Sequence, residues 1–153
     1  MRTGSLRSPM RTLIGIGFAA CVASATAFLL LASTVSSHAY DVGNDLGGTV
    51  YDYVMNASGM KDTNEPVRFN GVCASACTLY IELPKTCVTP EAEFIFHKPF
   101  GGTEEQIAYT ENYLMTHYPK WVQVWIDAHG GLQANPIIMP YSIIKKHMRR
   151  CPE

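Results

Sequence analysis

The most constraining feature of this chain is at its start. Arg2, Arg7 and Arg11 are the only Lys, Arg, Asp or Glu residues before Asp41, and residues 13–32 form an uncharged run that peaks at Phe28-Leu29-Leu30-Leu31. Thr34-Val35-Ser36-Ser37-His38-Ala39 comes next, with Ser37 and Ala39 small at the spacing a signal peptidase reads. A positive, an apolar and a small-residue region in this order predict a signal peptide over residues 1–39, cut after Ala39. The chain is thus expected to work in the periplasm or as a secreted protein. About twenty apolar residues are also just enough to span a bilayer. An uncleaved leader would then be the chain's only tie to a membrane, but the Gly, Ala and Ser content and the cut site favour cleavage.

The remainder of the chain is short. The whole sequence has 153 residues with 12 Lys+Arg against 13 Asp+Glu. The leader takes three arginines and no acid, so residues 40–153 carry nine basic against thirteen acidic side chains. That balance argues against a nucleic-acid partner, which asks for a basic face. The length supports one domain, at a size where the core alone does not guarantee stability. Cys73, Cys77, Cys87 and Cys151 lie in this part. Four cysteines in a small exported domain read as two disulfides, with three connectivities open. A zinc site from Cys73, Cys77, Cys87 and a histidine is the weaker alternative, because a lone Cys-x3-Cys lacks the paired knuckles of such sites.

The element pattern is mixed. Val50, Tyr51, Val54 and Met55 have helical spacing, which predicts a helix ending near Gly59. Residues 67–72 alternate like a strand and stop at small residues. Residues 73–82 suit a short helix with Ser75 in its first turn, closed by Pro84. Cys87-Val88 and Phe94-Ile95-Phe96 read as strands around a turn at Thr89-Pro90. Thr103 with Gln106 forms a capping-box pattern, predicting a helix to about His117. Pro119 opens a further helix that Gly130-Gly131 ends, and a last one starts after Pro140, with Lys145, Lys146, Arg149 and Arg150 as a solvated basic end. Alternating strands and helices with glycines at the junctions predict an α/β fold.

Three segments carry chemical promise together. Asn44-Asp45-Leu46-Gly47-Gly48-Thr49-Val50 places two glycines before a helix. Gly71-Val72-Cys73-Ala74-Ser75-Ala76-Cys77 turns a strand into a helix with a serine at the corner. Phe94-Ile95-Phe96-His97-Lys98-Pro99-Phe100-Gly101-Gly102 delivers a histidine at a strand end. A serine nucleophile needs a base within reach and backbone N–H groups aimed at the developing oxyanion. Ser75 is the candidate nucleophile, His97 the base, and the amides of Ala76 and of the Gly47-Gly48 pair the donors. Taken singly, each signal is more often a cap, a satisfied histidine or a plain turn; their order gives them weight.

In that order and spacing, residues 67–102 closely resemble the proteolytic subunit of Clp proteases, within the Clp/crotonase superfamily, and the resemblance continues more faintly to cover most of residues 42–148. Gly47-Gly48-Thr49-Val50 looks like the family's Pro-Gly-Gly-Ser-Val loop. Gly71 to Cys77 looks like its Gly-x-Ala-Ala-Ser-Met-Gly turn, and Phe96-His97-Lys98-Pro99 like its strand ending in His-Gln-Pro. The resemblance implies a truncated Clp/crotonase-like fold: a short β-sheet with flanking helices, stapled by disulfides. It also implies a Ser75/His97 dyad, with the amides of Gly48 and Ala76 as oxyanion hole and a peptide or small ester or acyl substrate; no cofactor and no metal enter this chemistry. Two departures stand out. Where the family has an acid to orient its histidine, this chain has Asn135-Pro136, with Asp127 the nearest carboxylate; Asn135 is the expected orienting group. Only residues 40–44 separate the glycine loop from the cut site, so one strand–helix unit is expected to be missing, with an open sheet edge that favours self-association. The alternative to a serine hydrolase is a Clp-like domain without catalysis that serves as a periplasmic binding or assembly module.

Overall fold

The computed structural model describes residues 39–152; apart from Ala39, the expected leader lies outside them. The first strand, β1 (Tyr40–Val42), starts directly after the expected cut. The sequence pattern does not reveal it, because three residues of which only Val42 is buried carry no periodic signal. The glycine loop leads into α1 (Val50–Thr63), which runs through Gly59 instead of ending there. It stops at Asn64, whose left-handed φ of 55° lets its N–H reach back to the carbonyls of Lys61 and Met60.

The stretch expected as one strand is two. In β2 (Val67–Phe69), Val67 and Phe69 point into the core and Arg68 outward; β3 (Val72–Ala74) then belongs to a different sheet. The switch occurs at Gly71, where a Cβ would collide with the carbonyl of Gly43, so only glycine lets the two segments pass. A 3-10 helix, Ser75–Glu82, follows, then β4 (Thr86–Val88), β5 (Glu93–Phe96), α2 (Glu104–His117), α3 (Lys120–Ala128), β6 (Ile137–Met139) and α4 (Tyr141–Ile144). The capping box of α2 is formed: Gln106 N donates to Thr103 Oγ1 and Thr103 N to Gln106 Oε1. Pro119 is the N-cap of α3, one position earlier than a first-turn proline.

The fold is mixed α/β, with two small sheets in place of the single sheet expected. One sheet has the parallel order β1-β2-β4. The other has the order β3-β5-β6, with β3 parallel and β6 antiparallel to β5. Their common core holds Phe69 against Phe94 edge to face, ring centroids 5.0 Å apart. Phe96 packs edge to face on Tyr118 at the end of α2 and at a tilt on Trp125 of α3, so the strand that delivers His97 is anchored by the ring just before it.

Both disulfides form: Cys73–Cys77 and Cys87–Cys151. All four cysteines are thus engaged, which removes the thiolates a zinc site would need, and oxidised pairs are what an extracytoplasmic compartment maintains. Among the described residues no helix is long and apolar enough to cross a membrane. The second bridge ties the chain end to β4, beside backbone bonds from Cys151 N to Val88 O and from Val88 N to Arg149 O. Its sequence separation is 64 residues against 4 for the first. Chain entropy alone then predicts that Cys87→Ala/Cys151→Ala lowers the unfolding free energy by about 4 kcal/mol and Cys73→Ala/Cys77→Ala by about 2 kcal/mol. Urea denaturation of the oxidised proteins measures both.

Candidate active site

The glycine loop is built on Asp45. Its backbone pairs with β3, Asp45 N donating to Val72 O and Ala74 N to Asp45 O, each at 2.8 Å. Its side-chain Oδ1 accepts from Gly47 N at 2.8 Å and from Tyr53 Oη at 2.6 Å. Burial, then the bond to the Asp45 carboxylate, pushes the Tyr53 hydroxyl well above the ordinary tyrosine range, so it keeps its proton and goes on donating. The loop therefore lies flat against the β3 corner. Gly47, at φ 83°, comes so close that a Cβ would sit 2.6 Å from both Ala74 O and Ser75 Cβ.

Ser75 stands at that corner, half-buried, with φ 56°. A left-handed serine costs about 1–2 kcal/mol relative to ordinary backbone. Three neighbours hold it there. The fully buried Cys73–Cys77 disulfide spans it, with Cα atoms 5.4 Å apart. Gly47 packs on its Cβ. Thr78 Oγ1 donates to its carbonyl at 2.6 Å and is itself 2.7 Å from Tyr118 Oη. A strand-to-helix turn with a strained serine at its tip is the geometry that presents a nucleophile outward.

His97 projects from the end of β5, half-buried. Its Nδ1 is 2.9 Å from Lys98 O. A carbonyl only accepts, so Nδ1 carries the proton, and in the neutral ring Nε2 has the free lone pair a base needs. Its ring centroid lies 5.6 Å from that of Phe100.

Gly47, Gly48, Ser75 and His97 line one open cleft of about 920 Å³. Ala76, next to Ser75, is buried, and neither its amide nor that of Gly48 has an acceptor among the described residues. Ser75 and His97 face the same space with no hydrogen bond between them, an arrangement that a substrate often tightens. The cleft wall continues with Leu46, Tyr51, Phe100 and Tyr109, exposed by 76%, 68%, 83% and 72%. They are half of the eight large apolar side chains exposed among the described residues, so exposed apolar surface is concentrated at this cleft. Among the described residues no Lys or Arg lines the cleft, and Glu105 is the lone carboxylate there.

Asn135 is exposed in the loop before β6 and makes no bond to His97. That loop does reach the histidine strand, but through Gln133, whose carbonyl accepts from Lys98 N at 2.7 Å. The contact to His97 Nδ1 expected of Asn135 is made by the carbonyl of Lys98. Asp127 is exposed on α3, away from the cleft lining. Sequence reasoning passes over Asp45, Thr78 and Tyr118. The Asp-x-Gly spacing of an Asx-turn is the signal that could flag the first; nothing local flags the other two.

No family model matches the chain, and none of the curated proteins is significantly similar to it.

The corner yields a stability test. Gly47→Ala is expected to lose about 2 kcal/mol or more, because the added Cβ meets backbone. Ser75→Gly is expected to gain up to about 0.5 kcal/mol, the relief of left-handed strain slightly exceeding the added chain entropy of the unfolded state. Thermal melts of the two variants against wild type check both signs.

Proposed function

We propose that this protein is an exported serine hydrolase of the Clp type, acting on a neutral ester or amide. The observation that carries the reading is the strained Ser75 corner sharing a cleft with His97, whose Nδ1 proton is already taken by Lys98 O. The order of the three motif segments supports it.

In this chemistry Ser75 Oγ attacks the substrate carbonyl while His97 Nε2 removes its proton. The carbonyl oxygen, now negative, is met by the amides of Gly48 and Ala76. His97 returns the proton to the leaving group, which departs and leaves an acyl-serine. A water, deprotonated by the same Nε2, then attacks the acyl carbon; the bond to Ser75 Oγ breaks, His97 returns the proton to Oγ, and the acid leaves. The side chains at the cleft mouth favour a carbonyl flanked by apolar groups. With no Lys or Arg among the described residues that line it, the cleft suits a polyanionic acyl carrier poorly.

The Lys98 carbonyl does part of a third member's work. It selects the tautomer, the loss of which is the main damage when a triad aspartate becomes an amide. A neutral dipole stabilises imidazolium less than a carboxylate does, so a slow enzyme is expected. The second reading, a binding or assembly module without turnover, draws on the missing Ser75–His97 bond and the missing carboxylate.

Labelling of the mature, oxidised protein with a fluorophosphonate probe separates the two. The hydrolase reading expects labelling that vanishes in Ser75→Ala and falls by roughly 100-fold or more in His97→Ala. Folded wild-type protein that stays unlabelled would favour the module.

A further inference from the structure

Ser75 and Ala76 share one peptide unit, and the carbonyl of that unit is held from below. Thr78 Oγ1 lies 2.6 Å from Ser75 O and Tyr118 Oη lies 2.7 Å from Thr78 Oγ1. The protons can be assigned. Ser75 O can only accept, so Thr78 commits its single hydroxyl proton there, and Tyr118 must donate to Thr78. Thr78 and Tyr118 are both buried, and burial pushes the Tyr118 hydroxyl above the ordinary tyrosine range, so the donated proton stays in place.

A trans peptide is planar, with its N–H and C=O on opposite sides, and none of the described peptide bonds is cis. Pinning Ser75 O therefore fixes where the Ala76 N–H points. The Ala76 N–H has no acceptor of its own among the described residues, so its direction is set from the carbonyl end alone, where the Thr78 hydroxyl adds a side-chain bond to the backbone hold of the 3-10 helix that starts at Ser75. On the facing loop Asp45 plays the complementary part, taking the Gly47 N–H and leaving that of Gly48 open.

We infer that Thr78 and Tyr118 are positioning residues, which aim the Ala76 N–H at the oxyanion by holding the opposite end of its peptide. The inference rests on the hydrolase reading. It differs from a purely structural role, in which two buried hydroxyls satisfy each other and their loss costs stability alone.

The test is the rate of covalent labelling of the full mature protein by an alkyl fluorophosphonate, split into the limiting rate kinact and the apparent affinity KI. Thr78→Val is expected to lower kinact roughly 10- to 100-fold, with KI little changed, because one oxyanion donor is misaimed. Thr78→Ser, which keeps the hydroxyl, restores kinact to within about 3-fold of wild type, and Tyr118→Phe lowers it by about 3- to 10-fold. Circular dichroism and a free-thiol count establish that each variant is folded and oxidised. A folded Thr78→Val that labels at the wild-type rate overturns the inference while leaving the hydrolase reading intact. Should Thr78→Val not fold, an unchanged kinact in Tyr118→Phe overturns it equally. Wild type that does not label at all removes the hydrolase reading, and the positioning role with it.

Discussion

The left-handed conformation of Ser75 is the constraint around which the molecule is arranged. An L-residue adopts it only where surrounding structure insists, and here the insistence comes from separate parts of the chain. The disulfide acts from within the segment, Gly47 from the loop ahead of α1, and Tyr118 from the end of α2 through Thr78. Each is placed by something further out. Gly47 is located by Asp45, and Asp45 by its backbone pairing with β3. Tyr118 is located by Phe96, and Phe96 also fixes the strand end that carries His97. One aromatic contact thus couples the support of the serine turn to the placement of the histidine.

How far this is legible in the sequence depends on the range of the forces involved. The α2 capping box is readable because Thr103 and Gln106 satisfy each other within one turn. The Ser75 corner is readable because a strand pattern breaks at small residues directly before it. β1 and β6 are not: each is three residues long, and pairing with Val67–Phe69 and with Phe94–Phe96 is what makes them strands. The division of residues 67–74 between two sheets is equally hidden. It turns on the approach of Gly71 to Gly43, residues far apart in the chain. Cysteine pairing has three solutions in sequence, and only the placement of Arg149 and Cys151 beside β4 selects one.

The site divides along the same line. Ser75, His97 and the glycine pair, which line one cleft, are legible as candidates because their residue types announce themselves. Asp45 and Thr78 are missed because each acts on backbone, and backbone groups leave no mark in a sequence; Tyr118 is missed because it reaches that backbone only through Thr78, 40 residues away. Lys98 is the sharpest instance: its side chain is 3.9 Å from Glu111 and irrelevant to the histidine, while its carbonyl holds Nδ1. Searching for a side chain to orient His97 leads to Asn135, when the residue adjacent in sequence already does so.

In the proposed hydrolase, a carbonyl rather than a carboxylate behind the histidine has a consequence for chemistry. A carboxylate does two things for a catalytic imidazole: it selects the tautomer, and it lowers the energy of the cation formed as the serine proton moves. Lys98 O can do the first fully. The second it does only as a dipole, over a single contact. Under the proposed chemistry the burden of the charged intermediate shifts to the oxyanion side, where the amides of Gly48 and Ala76 have no competing acceptors among the described residues. Donors fixed before reaction cost no reorganisation during it, and both peptides here are held by neighbouring bonds. Under the proposed chemistry, rigidity of the serine turn compensates in part for the charge that is absent behind the histidine. It follows that the buried hydroxyls and the disulfide beneath Ser75 matter more to this site than they would to one with a complete triad.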